Sequence, residues 1–245
     1  MAILSRLAGV AFIVAIPIFL VTANVRFFAT ETRFYERGFR KYGAEEATGI
    51  PLDQLDRAAG EIVKYFEDDA AALRIIVTKD GQEVSLFSTR EIDHMRDVKS
   101  LMRLVFRLNE FSLAYILSFV AAVYLWAKER PLRSLARQAM LGVGVGFGAL
   151  IVVGAFAVTG FDAAWTKFHQ IAFNNDLWRL DPSRDHLIQM FPEEFWQEAT
   201  YLVGIFTLAE AVLIVALAST YLVLSRGPAK SKEQRAQSRE RQAEG

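Results

Sequence analysis

Four runs free of charge except at one position dominate this chain, at residues 7–25, 111–127, 138–161 and 199–225, and the exception is Glu210 in the last. About 20 apolar residues let a helix cross a hydrocarbon core with every backbone group bonded internally, so the four runs predict four transmembrane helices. The second run is short and needs extension at its ends. The hairpin at 128–137 carries Lys128, Arg130, Arg133 and Arg137 against Glu129. With Arg6 and the tail from residue 226 onward, that side holds eleven basic and four acidic residues, against seventeen and twenty-three in the two remaining loops. Basic residues accumulate on the cytoplasmic side of short loops, so both termini are expected inside and two loops outside.

The first span, taken as 1–28, reads as an uncleaved anchor, since its apolar stretch exceeds the usual signal-peptide core and a single Arg precedes it. The outer stretch 29–108 is long enough for a small α+β cap. Residues 31–42 continue out of the first span as a polar, aromatic-rich helix. Pro51 opens another, with Leu52, Leu55, Ala59, Ile62, Val63 and Phe66 at helical spacing. Residues 73–77 and 83–87 flank Lys79-Asp80-Gly81 as a β-hairpin. Ser88 and Glu91 form a capping box for a helix that runs unbroken into the second span, 109–127. The third span is 138–161, an aromatic, proline-broken outer loop covers 162–198, and the fourth span is 199–225. The tail 226–245 lacks an apolar face and is expected to be a disordered cytoplasmic segment. Gly142, Gly144, Gly146 and Gly148 form two interleaved small-xxx-small pairs, a sign of close helix packing.

Twenty-eight basic residues balance twenty-eight acidic ones, leaving no basic field for nucleic acid. The absence of cysteine excludes a thiolate metal site, a cysteine nucleophile and a disulfide framework. All three histidines, His94, His169 and His186, fall in the outer loops. Asp97 lies one helical turn from His94. From spacing alone, anchoring at the membrane interface is the plainer account of these residues. A zinc site from the histidines with Asp93, Asp97 or Asp176 is weaker still, because no tight ligand cluster appears. Glu210, an acid inside a span, is either functional or a glutamic acid bonded to a facing helix.

Two stretches alter this balance: Glu91-x-x-His94-Met-x-Asp97-Val-Lys99, and Phe168-His169-x-x-x-Phe173-x-Asn175-Asp176-x-Trp178 followed by 187–192, Leu-Ile-Gln-Met-Phe-Pro. They resemble the lipoprotein intramolecular transacylase family of bacterial integral membrane proteins, along the chain from the first span to the fourth. Ala172 departs from it, standing where a second aromatic is expected. The resemblance implies a four-helix membrane enzyme with an extracytoplasmic cap in the bacterial cell membrane. It implies transfer of an acyl chain from the glyceryl group of a diacylated lipoprotein to the amino group of its N-terminal cysteine, which yields the lyso-form. His94 and His169 would be catalytic, with Asp97, Lys99, Asn175, Asp176 and Trp178 in support. No cofactor or metal is called for; the partners are the diacylglyceryl lipoprotein N-terminus and membrane lipid.

The chemistry suits these residues. An α-amino group with a pKa near 8 is a nucleophile without a covalent intermediary, and imidazole is matched to moving its proton to the leaving alkoxide. Asp97 beside His94 favours an imidazolium that donates to the oxyanion, whereas His169, near Lys167 and among aromatics, is expected to be the neutral base. Asp176 folding back onto His169 would reverse these roles. The competing function class is a non-enzymatic membrane sensor or scaffold with a partner-binding cap. An enzyme must bring His94 and His169 together; a scaffold has no reason to.

Overall fold

The structure is a computed structural model and describes residues 2–126 and 131–225. The tail, Lys128, Glu129 and Arg130 therefore lie outside the described residues. Four long helices form the membrane part: α1 (Ala2–Thr30), α5 (Thr89–Trp126), α6 (Pro131–Thr159) and α9 (Glu193–Leu224). Each contains a stretch long and apolar enough to span. Val10, Leu117, Leu125, Val145, Val212 and Leu217 are exposed along them, a surface suited to lipid. The fold is an α-helical membrane protein with a small two-stranded sheet.

The glycine pairs divide. A Cβ at Gly142 would lie 2.8 Å from the Ile13 carbonyl oxygen, and one at Gly146 would lie 2.7 Å from Pro17 Cβ. These two glycines let α6 press against α1, as small residues do where hydrophobicity cannot drive association. Gly144 and Gly148 face open space. Polar side chains tie α1 to its neighbours near its C-terminal end. Asn24 donates to Thr207 Oγ1 (3.1 Å) and Glu210 Oε2 (2.9 Å) on α9, and Arg26 pairs with Glu110 on α5 at 2.8 Å. Glu210 is thus bonded to a facing helix.

The cap lies between α1 and α5: α2 (Thr32–Lys41), α3 (Ala44–Thr48), α4 (Leu52–Glu67), β1 (Ile76–Lys79) and β2 (Gln82–Ser85). The helix expected to continue out of the first span instead breaks at Glu31, whose extended backbone and side chain cap α2 through the Arg33 N–H at 3.2 Å. The hairpin is present, its first strand later than expected and its second beginning and ending earlier. Lys79 pairs with Gln82, so Asp80 (φ 53°) and Gly81 (φ 77°) alone form the turn. Two positive φ values are what a two-residue turn joining twisted strands requires.

Ser88 and Glu91 exchange hydrogen bonds at the start of α5, and the helix then runs without interruption to Trp126. The second connecting stretch forms α7 (Phe161–Ala172), a turn region, α8 (His186–Met190) and the first turns of α9. Its Leu187, Met190, Phe191 and Phe195 enter the same core as Phe39, Leu55, Ile62 and Val77. The cap is therefore built from the segments that follow α1 and α6. Glu91 is a reason they meet, because its carboxylate accepts the backbone N–H of Ser88 (2.7 Å) and of Leu187 (2.6 Å), two donors that would otherwise be unpaired.

Candidate active site

His94 comes from the N-terminal part of α5 and His169 from the last turn of α7, and their ring centroids lie 6.1 Å apart. Both are buried, at 6% and 8% exposure. Aromatic rings enclose them: Trp165 (4.6 Å), Trp178 (4.9 Å), Phe168 (5.3 Å) and Phe173 (5.6 Å) about His169, with Phe173 also 5.3 Å from His94. Trp165 stacks on Trp196 of α9 at 5.0 Å, which ties α7 to the fourth long helix.

His169 Nδ1 lies 2.8 Å from the Trp165 carbonyl oxygen. That oxygen can only accept, so Nδ1 carries the hydrogen and Nε2 of the neutral ring keeps its lone pair. Burial lowers the His169 pKa, against the opposing pull of the Trp165 carbonyl. Burial also lowers that of His94, to about 4, helped by His169 and Arg90 and opposed by Asp97. His94 is therefore neutral near pH 7, which corrects the expectation of an imidazolium. Asp97 one turn away is outweighed by desolvation, a cost that residue spacing does not reveal. Among the described residues His94 Nδ1 has no hydrogen-bond partner, an unspent polar atom in a buried site.

The supporting residues divide as well. Asp97 accepts the Asn175 side-chain amide at 2.8 Å, so it acts on His94 through space rather than through a hydrogen bond. Asn175 is itself oriented by the Leu177 N–H at 3.0 Å. Trp178 packs on His169, tilted by 32°. Asp176 pairs with Arg179 at 2.8 Å and does not fold back onto His169. Lys99 is turned elsewhere: its ammonium bonds Ala70 O (2.7 Å) and Asp68 (3.1 Å) and lies 3.9 Å from the Tyr65 ring centre, so it fastens the end of α4 to α5. His186 donates Nδ1–H to the Leu86 carbonyl at 2.7 Å, away from the pair.

Asp93 pairs with Arg96 at 2.8 Å, and among the described residues no group of three or more acidic, histidine or cysteine side chains gathers as a metal site would require. Residues that motif reading passed over complete the site: Trp165, four positions before His169, and Arg90, which donates to the carbonyls of Asp176 and Arg179 (3.1 Å). Helical spacing from His169 could have pointed to Trp165. Nothing local could have pointed to Arg90.

Known proteins resemble this arrangement over most of its length. An uncharacterised protein of Aquifex aeolicus strain VF5 is 29% identical over 179 residues, which is 71% of this chain and 73% of that one. The in meso structure of the membrane-integral lipoprotein intramolecular transacylase Lit from Bacillus cereus superposes with a TM-score of 0.74 at 18% identity, covering 92% of this chain and 99% of that one. A second structure of that protein, with one histidine changed to arginine, gives a TM-score of 0.70 at 19% identity, covering 92% and 94%. The family model of the lipoprotein intramolecular transacylase Lit matches residues 10–196, from the first long helix through both histidine motifs to the start of the fourth, so the chain is a membrane-integral member of that transacylase family.

Proposed function

We propose that this enzyme moves an acyl chain from the diacylglyceryl group of a bacterial lipoprotein to the α-amino group of its N-terminal cysteine, with His94 and His169 carrying the acid–base work. The observation that supports this most is the 6.1 Å approach of two neutral imidazoles from distant parts of the chain inside an aromatic enclosure. The amine nitrogen attacks the ester carbonyl while His169 Nε2 takes its proton. His94 donates an N–H to the developing oxyanion. The bond from the carbonyl carbon to the glyceryl oxygen breaks, and the proton held by His169 passes to that oxygen. One amide and one free hydroxyl result, with no net proton change. Trp165, Trp178, Phe168 and Phe173 keep out water, which would otherwise compete as the nucleophile.

Leu104 and Leu108 on α5, with Phe168 and Ile171 on α7, are exposed on the two helices that carry the histidines. They suit an acyl chain drawn up from the bilayer. Because donor and acceptor lie in one molecule, total mass is unchanged by the reaction, and fragmentation must be read. With this protein expressed, the N-terminal peptide of a membrane lipoprotein should give N-acylcysteine fragments and a monoacylglyceryl thioether. Retention of the diacylglyceryl fragment alone would refute the assignment.

The charge bias of the loops supports an extracytoplasmic site with both termini inside. The chain lacks cysteine, so single replacements can report on each face. In right-side-out spheroplasts, a membrane-impermeant maleimide should label Ser183→Cys directly and Ser134→Cys only after permeabilisation. The opposite pattern would move the histidines to the cytoplasm.

A further inference from the structure

Proton transfer leaves one carboxylate beside the histidines unused. Asp93 and Asp176 are neutralised by Arg96 and Arg179, and Glu91 spends both oxygens on backbone N–H groups. Asp97 differs. One oxygen takes the Asn175 amide at 2.8 Å, and among the described residues no cation pairs with it. It is half-buried, and through Asn175 it adjoins a polar bowl of about 320 Å³ lined by Gln170, Phe173, Asn174, Asn175, Asp176 and Trp178. The bowl is continuous with the candidate site, because Phe173 touches both imidazoles and Trp178 packs on His169.

An α-amino group with a pKa near 8 arrives at neutral pH mostly as an ammonium. Its natural receptors are a carboxylate and the faces of aromatic rings. We propose that Asp97, held in place by Asn175 beside Phe173 and Trp178, binds the substrate's α-ammonium group, so that the site selects a free N-terminus while the peptide leaves through the bowl. This rests on the transacylation reading above. It gives Asp97 a role its missing bond to His94 left open: the bound ammonium releases one proton to solvent through the bowl, the neutral amine then attacks as above, and the product amide carries no charge and loses this contact.

The test uses the full chain in phosphatidylglycerol and phosphatidylethanolamine nanodiscs, with two unreactive lipopeptides. Both carry ether-linked chains on the glyceryl cysteine; one has the free amine and the other a hydroxyl in its place. The amine should bind about tenfold more tightly at pH 7, and the preference should fade above about pH 8. Asp97→Asn should make the two affinities equal and leave that of the hydroxyl analogue unchanged. No preference in the unmodified protein, a preference that survives Asp97→Asn, or an equal weakening of both would overturn the proposal. Should Asp97→Asn fail to fold, Asn175→Ala reads the same ratio: it should reduce the preference, and an unchanged ratio would overturn the idea. If an ester lipopeptide shows no acyl transfer at all, the transacylation reading itself fails, whereas transfer without amine preference removes only the role of Asp97.

Discussion

His169→Ala is expected to lower acyl transfer by about 10²- to 10⁴-fold, the range associated with removing a positioned general base. The ring has a defined tautomer, with Nδ1–H on the Trp165 carbonyl at 2.8 Å and Nε2 left as acceptor. His169→Gln should fare no better, because an amide can replace the donor to Trp165 but cannot take up a proton. Both variants should remain in the membrane with unchanged helical content, since the rings that enclose His169 also pack on one another, Trp165 on Trp196 among them. The sign of the pH effect follows from burial. A base with a lowered pKa stays competent at more acidic pH than an ordinary histidine, so the midpoint of activity loss through its protonation must lie below pH 6.5. Imidazole nitrogen shifts should place both protonation midpoints below 6.5, with His94 near 4. A midpoint for His169 above 6.5, or full activity of His169→Ala, would remove it as the base.

His94→Ala should cost about 10²- to 10³-fold, as expected when one donor to an oxyanion is deleted from a dry site. The discriminating variant is His94→Gln, which keeps an N–H donor and should retain far more activity than His169→Gln. This ranking no longer depends on a charged imidazole. A neutral ring with its pKa near 4 still has one N–H to give, and without a full charge it avoids the desolvation cost of an imidazolium. If the two glutamine variants rank the other way, the pair stands and the roles exchange. Full activity in both alanine variants would refute the site altogether.

Much of the architecture was legible because it depends on local terms. The Asp80-Gly81 turn follows from the conformational freedom those residues allow, and the Ser88–Glu91 cap from groups three residues apart. Spacing placed Asp97 beside His94, and the family resemblance named Lys99 in support of the pair, yet Lys99 belongs to the cap, where Asp68, Ala70 and Tyr65 receive its ammonium. Periodicity cannot say which neighbour a long side chain will reach. The break at Glu31 went unread for a similar reason, since the same residue types serve a continuing helix or the cap of a new one.

The sequence by itself determined the four apolar helices and the order of the cap's elements. Transfer of an apolar run into lipid and the closing of a turn are both decided by neighbours along the chain. Tertiary structure alone decided that His94 and His169 meet, that Asn24 reaches Glu210, that Asn175 rather than His94 takes Asp97, and that both imidazoles are neutral. Those outcomes depend on which distant surfaces pack together and how much water they exclude, and the free energy of a buried proton is set by that exclusion rather than by any spacing in the chain.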